Sequence, residues 1–194
     1  MFRELASQPV GRVDYLLGAG QGIAMCLAQS RAQNAGAGMG IGEIFLRALG
    51  IGSTVGVAGL FLMALIYTRL GSRAAQAATR GQVFHVLAYG SVPLTASLIT
   101  WVFAALLAGE ATFEQAPPGD VEGFVALLLR MQFIAFVILG LWSVVIQVMG
   151  LSEVQGLTTA RAFGLWVLGQ LIGCLALLFL LILLVTLFPG PASG

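Results

Sequence analysis

Charged residues are scarce in this chain: they make up 9% of its 194 residues, against about 25% in an ordinary soluble domain. Hydrophobic residues make up 59%. A water-soluble fold of this length could not cover its surface with so few charges, whereas lipid solvates the apolar exterior of a membrane protein. The composition therefore excludes an ordinary soluble fold and predicts one membrane domain over residues 1–194.

Lysine is absent, all nine basic residues are arginine, and the net charge is +1. No global field attracts nucleic acid, so we predict no nucleic-acid partner. The only histidine, His85, and two cysteines in different apolar segments, Cys26 and Cys174, are too few for a zinc site of the usual ligand count. We interpret the cysteines as small buried hydrophobes and His85 as a packing residue in preference to a catalytic one.

Catalytic motifs are also missing from the sequence. It contains no G-x-G-x-x-G, no Walker loop and no G-x-S-x-G nucleophile turn. We therefore predict a protein that is not an enzyme and that uses no cofactor or metal.

Long apolar segments are what the chain does contain. Five of them are long enough, or nearly so, to cross the hydrocarbon core, at 13–30, 44–67, 83–108, 124–149 and 163–188. They predict an all-α polytopic membrane helix bundle of five spans. Pro93 lies inside the third segment and predicts a break or kink at residues 89–93.

The first segment, 13–30, is the least apolar because it contains Asp14, Gln21 and Gln29. Two interpretations stay open for it. It either lies in the membrane interface or forms a poor span that neighbouring helices shield.

Arginine counts predict the orientation. The 68–82 connection has three arginines, the 150–162 connection one, and the 109–123 connection and the C-terminal tail none. This places the N-terminus inside and the C-terminus outside, with 13–30 as a span.

Pairs of glycines four residues apart occur in three apolar segments: Gly18/Gly22, Gly52/Gly56 and Gly169/Gly173. Glycine at this spacing lets two helix backbones approach closely. We expect packing within one bundle, with packing between subunits as the alternative.

Polar residues inside the later spans are the remaining candidates for chemistry. Arg130 follows Phe124 by about 9 Å of helix, so it can reach the interface or pair with acidic residues of the 109–123 connection. Its alternative role is a substrate or ion contact. We expect Gln132, Gln147 and Gln170 to form hydrogen bonds between helices.

Two stretches resemble the Yip1 domain family of multi-pass membrane proteins. One is AYGSVPL at 88–94, with Tyr89 and Pro93. The other runs from LWS at 141–143, with Trp142, through GLSEVQGLT at 150–158, with Glu153 and Gln155, to Arg161-Ala162. The resemblance implies five spans, N-terminus in and C-terminus out, and no catalytic residues. Because the second stretch is similar to bacterial members, it also implies the cytoplasmic (inner) membrane of a bacterium. Eukaryotic relatives are associated with Rab GTPases, vesicle transport and the shaping of secretory membranes.

The resulting hypothesis is a non-enzymatic membrane protein that organises partners or local bilayer shape. Its expected partners are the lipid bilayer and a membrane protein or a second copy of the chain. Glu153, Gln155 and Arg161, in the connector 150–161, are the candidate contacts; the alternative is a solvated turn with Thr158 or Thr159 capping the last helix. A small channel or permease is the second hypothesis, and a membrane-embedded lipid enzyme, based on His85 and Arg130, is the third.

Overall fold

A computed structural model of the protein describes residues 9–71, 78–114 and 123–187. Within these ranges the chain forms seven α-helices and no β-strand. The helices are α1 Arg12–Ala32, α2 Ile41–Arg47, α3 Ser53–Gly71, α4 Arg80–Gly90, α5 Val92–Ala108, α6 Gly123–Gln155 and α7 Thr159–Leu187. A π-helical turn, Ala48–Gly52, joins α2 to α3 without interruption, and short 3-10 turns lie at Ala35–Ala37 and Gly109–Phe113.

Four helical segments of the described chain are long and apolar enough to cross a membrane: Ile41–Gly71, Arg80–Phe113, Gly123–Gln155 and Thr159–Ala176. The protein is therefore an integral membrane protein built as a helix bundle, as its composition predicts. Helix α1 does not belong to this apolar set.

Helix α1 instead lies inside the bundle, where it packs against α3, α4 and α5. No residue from 17 to 24 is exposed. Its buried residues are mostly small: Asp14, Gly18, Gly20, Gly22, Ala24, Leu27 and Ser30. Of the two interpretations of 13–30, the bundle agrees with the shielded helix at Asp14, which is buried, and at Gln21, which is half-buried, whereas Gln29 is exposed.

The bundle has two ends, which we name after residues found there. At the Gly36 end the two 3-10 turns meet, so closely that a Cβ on Gly36 would collide with the carbonyl oxygen of Glu110. At the Val10 end, Val10, Ala78 and Leu157 pack on one core cluster around Tyr67 and Leu151. Helix α1 runs from the Val10 end to the Gly36 end.

Pro93 marks a break between two helices, as the sequence predicts. Helix α4 ends at Gly90, and Pro93 is the second residue of α5, where its missing N–H leaves no hydrogen bond unmade. Ser91 sits at the break, and its hydroxyl donates to the carbonyl of Ala88 at 2.6 Å.

The connector before the last helix is shorter than the expected 150–161. Helix α6 continues to Gln155 because Leu151 and Val154 are apolar and buried against the bundle. It stops at Gly156, which has a φ of 63°, a conformation that glycine adopts easily. The Thr158 hydroxyl accepts a hydrogen bond from the Arg161 N–H at 3.4 Å, which confirms the predicted cap of α7.

Candidate functional site

Two of the glycine pairs face each other across α1 and α3. A Cβ added to Gly56 would lie 2.7 Å from the Cα of Gly22, and one added to Gly52 would lie 2.9 Å from the carbonyl oxygen of Gly22. Real Cβ atoms do not approach this closely, so the two backbones are in direct contact. The pairs Gly18/Gly22 and Gly52/Gly56 therefore pack α1 on α3 within one chain.

The third pair packs α7 on α3. A Cβ on Gly169 would lie 2.8 Å from ring carbons of Tyr67, and one on Gly173 would lie 2.9 Å from the sulfur of Met63. All three pairs thus serve contacts within the bundle, as we expect from their spacing.

A cleft of about 500 Å³ runs beside the glycine contact, along α1 and the continuous segment from α2 to α3. Its volume is in the range of about 300–1,000 Å³ that is usual for small-molecule sites. Residues of α1 through α4, of the π-helical turn, and of α6 and α7 line it: Gln21, Gly22, Met25, Cys26, Gln29, Ser30, Gln33, Arg47, Ile51, Gly52, Val55, Gly56, Gly59, Leu60, Met63, Tyr67, Leu87, Gln147 and Gln170. The cleft is therefore the candidate functional site.

The part of the cleft nearer the Val10 end holds a polar network that joins α3, α6 and α7. The Tyr67 hydroxyl donates to the carbonyl of Trp166 at 3.1 Å and accepts from the Gln170 amide at 3.3 Å. The Trp166 indole N–H donates to Gln147 Oε1 at 3.0 Å. Gln147 and Gln170 thus form the interhelical hydrogen bonds that the sequence predicts.

The part nearer the Gly36 end is open and polar. Gln29 and Ser30 of α1 and Gln33, which follows α1, line it together with Arg47, the only charged residue on the cleft wall. Arg47 is exposed, and no carboxylate of the described residues forms an ion pair with it. Between the two parts, Gln21 Oε1 is buried and has no hydrogen-bond partner among the described residues.

A second polar feature, outside the cleft, is the buried pair of Asp14 in α1 and His85 in α4. His85 Nδ1 lies 2.8 Å from Asp14 Oδ1, and the two side chains are 5% and 2% exposed. Asp14 also caps α1 by accepting from the Gly11 N–H at 2.7 Å. The His85 ring lies 4.6 Å from the ring of Tyr89. Sequence reasoning noted both residues and missed their pairing, because the two lie in different helices and no local motif joins them.

Arg31, near the end of α1, is the arginine that contacts α6. The sequence does not identify this role. Its guanidinium donates to Gln132 Oε1 at 2.9 Å and lies 5.8 Å from the centre of the Phe133 ring. Arg130, the predicted candidate, is exposed and forms no ion pair with the described Glu110 or Glu114; Asp120 and Glu122 lie outside the described residues. Arg130 does not line the cleft.

The remaining predicted residues are spread over the bundle. Trp142 is 59% exposed on the outer face of α6, whereas Pro93 is buried.

Gln155 is also buried, and its amide donates to the carbonyl of Tyr67 at 3.2 Å. The alternative of a solvated turn is therefore wrong for Gln155, because α6 extends past the expected connector. Glu153 is half-buried and Arg161 exposed, and Cys174, expected to be buried, is exposed.

Comparison with known proteins identifies no relative: no family model, curated protein or solved structure matches the chain.

Proposed function

We propose that this chain is a non-enzymatic integral membrane protein that organises neighbouring proteins or local bilayer shape, as its resemblance to the Yip1 family implies. The observation that supports this role is the long outer face of α6. Its exposed apolar residues, which we call the α6 face, are Phe124, Leu127, Met131, Phe133, Ile134, Val137, Ile138, Leu141, Trp142, Val145 and Met149.

The α6 face is longer than an ordinary bilayer is thick. At 1.5 Å per residue, Phe124 to Met149 covers about 38 Å, whereas the hydrocarbon core is about 30 Å thick. The exposed Arg130 interrupts this face about 9 Å from Phe124, and its long side chain can carry the charge to the interface. Such a helix tilts, thickens the lipid around it, or associates with other helices to cover the excess apolar surface. Each response alters the lipids or proteins beside the protein.

Self-association in bilayers of graded thickness tests the proposal. The Cys26→Ser protein, labelled at the exposed Cys174, is reconstituted in phosphatidylcholine with short, intermediate and long acyl chains. We expect energy transfer between labelled copies to be strongest in the thinnest bilayer and to fall as the bilayer approaches the length of the α6 face. The double variant Phe124→Gln/Leu127→Gln shortens this face and is expected to weaken the dependence on thickness. Equal energy transfer at every thickness would overturn the proposal.

We further propose a five-span topology in a bacterial inner membrane, with α1 as the fifth span, the N-terminus inside and the C-terminus outside. Two observations support it: α1 runs between the two ends of the bundle, and arginines predominate in the 68–82 connection.

A membrane-impermeant thiol reagent tests this topology. It is applied to variants with single cysteines at Gly38, Thr79, Glu110 and Thr158, in a background without Cys26 and Cys174. Gly38 and Glu110 are expected to react from outside, and Thr79 and Thr158 only after permeabilisation. Labelling of Gly38 and Glu110 from opposite sides would exclude this topology.

A channel or permease is the second candidate function, and the cleft favours it by bringing Gln21, Gln147 and Gln170 into the membrane-spanning bundle. Ion- and solute-loaded proteoliposomes test this role. Leak rates equal to those of protein-free liposomes would remove it.

A further inference from the structure

The cleft has one charged group, one buried polar atom without a partner, and an apolar wall between its two polar parts. We infer that it binds a single-chain anionic glycerophospholipid. Its phosphate would lie at Arg47, its free glycerol hydroxyl at Gln21, and its acyl chain along α3. The inference is independent of how the α6 face acts.

Charge selects the head group. Arg47 is the only charged residue on the cleft wall, and its guanidinium provides planar donors suited to a phosphate. It follows the start of α2 at Ile41 by about 9 Å of helix, within reach of the membrane interface. Gln29, Ser30 and Gln33, which also line the cleft, have neutral hydrogen-bonding side chains. An anionic group is therefore favoured there over a cationic one.

The buried carbonyl oxygen of Gln21 selects a hydroxyl. Oε1 is an acceptor without a donor among the described residues, and leaving such an atom unsatisfied costs about 1–3 kcal/mol. Gln21 lies near Arg47. It precedes Gly22, Gly22 contacts Gly52, and Gly52 lies about 8 Å along the helix from Arg47. A free glycerol hydroxyl beside the phosphate would supply the missing donor, whereas a fatty acid has no such group.

Volume and polarity select one acyl chain. The cleft has a volume of about 500 Å³, within the range of about 300–1,000 Å³ that is usual for a single small ligand. Ile51, Val55, Leu60 and Met63 provide an apolar wall. Beyond them, the Tyr67 hydroxyl already forms hydrogen bonds with Trp166 and Gln170 within the protein, so it needs no partner on the acyl chain.

Photo-crosslinking to the full-length protein in nanodiscs tests the assignment. The probe is lysophosphatidylglycerol with a diazirine in its acyl chain, and crosslinked peptides are mapped by mass spectrometry. We expect crosslinks on α1 and α3 near Met25 and Val55. Arg47→Gln should lower their yield about fivefold, the contribution of one arginine to anionic-lipid binding. The matched variant Arg130→Gln, which changes an arginine outside the cleft, should leave the yield unchanged.

A filling variant provides an independent test. Gly59 lines the cleft, and a Cβ added there meets nothing within 4 Å. Gly59→Phe should therefore abolish the crosslinks on α1 and α3, whereas Gly164→Phe, at an equally open position on α7, should not. If Gly59→Phe does not elute as the wild-type species in size-exclusion chromatography, Gly59→Leu replaces it.

Two probes with the same chain complete the design. Lysophosphatidylcholine has no net charge. Its labelling of the wild-type protein should be about as weak as the labelling of the Arg47→Gln variant by lysophosphatidylglycerol. A fatty acid should also label less than lysophosphatidylglycerol, because it lacks the glycerol hydroxyl. Equal labelling by the zwitterionic probe, or crosslinks that spread over the outer faces of α6 and α7 and ignore both cleft variants, would overturn the site. Equal labelling by the fatty acid would overturn the role of Gln21.

Discussion

Gly22 and Gly56 are the residues at which side-chain size matters most. The backbones of α1 and α3 touch there, and a methyl group on either glycine would occupy the space of the opposite backbone. Backbone cannot rotate away as a side chain can, so the helices themselves would have to separate. Close backbone contact of this kind increases dispersion contacts in a membrane, where lipid provides no hydrophobic drive between helices.

We predict that Gly22→Ala destabilises the bundle by about 1–3 kcal/mol, the usual effect of overpacking. Gly59→Ala on α3 is the matched control, because its new methyl group meets nothing within 4 Å. Thermal unfolding in a mild detergent, followed by circular dichroism, measures both variants. Equal melting temperatures for the two would contradict direct contact between the backbones.

Asp14 and His85 are the second residue-scale feature. Their pairing joins α1 to α4 at a site that both helices close off from water and lipid. Removing one partner leaves the other polar and buried, which is more destabilising than removing both.

A double-mutant cycle measures this pairing. We predict that Asp14→Ala and His85→Ala each lower the free energy of unfolding, and that the double variant loses less than the sum, with a coupling of about 0.5–3 kcal/mol. Asp14→Ala should be the more harmful single change, since it also removes the cap of α1. Strictly additive losses would show that the two side chains do not interact.

At the scale of elements, α7 is attached to the bundle mainly through α3 and α6. The contact with α3 consists of Gly169 and Gly173 on one side and Tyr67 and Met63 on the other. The Tyr67 hydroxyl adds two hydrogen bonds to α7. Shape and hydrogen bonding therefore fix the position of α7 together.

Two variants separate these contributions. Tyr67→Phe should lower the free energy of unfolding by about 0.5–1.5 kcal/mol, because it removes the hydroxyl and keeps the ring. Gly169→Leu should be worse, since its side chain meets the Tyr67 ring, while Gly164→Leu on the same helix should be tolerated. Trp166 fluorescence, in a background without Trp101 and Trp142, reports the separation of α7. An unchanged emission spectrum in Gly169→Leu would argue against this contact.

At the scale of the whole molecule, the least apolar helix lies at the centre. Helix α1 contacts α3, α4 and α5, and its end is held to α6 by Arg31 and Gln132. A helix with Asp14 and Gln21 is poorly suited to lipid and well suited to a protein interior that provides partners.

Hydrogen exchange tests this arrangement. We predict that amides of α1 from 17 to 24 exchange more slowly than those of α7 from 163 to 176, although α7 is more apolar, because local opening of α1 requires several helices to separate. Mass spectrometry of the protein in nanodiscs measures both segments. Faster exchange in α1 would contradict its central position.

The sequence by itself determined the class of the protein and its local structure. Scarce charge and long apolar runs predict membrane helices, Pro93 predicts the break between α4 and α5, and Thr158 and Thr159 predict a cap of α7. These features depend on composition or on residues close together in the chain, so they are readable before folding. The predicted end of α6 is wrong, because Gln155 resembles a residue of a solvated turn in the sequence but donates a hydrogen bond to the buried Tyr67 carbonyl in the fold.

Only the tertiary structure decided which residues meet. It paired Asp14 with His85 and Arg31 with Gln132, set Gly18/Gly22 against Gly52/Gly56, and brought Arg47, Gln21 and Tyr67 to one cleft. Each of these contacts joins two separate helices. The rotation of each helix about its axis and its position along the bundle depend on the packing of the whole bundle. Helical spacing shows which residues share a face, and the neighbour of that face is selected by shape, burial and hydrogen bonding over the complete fold.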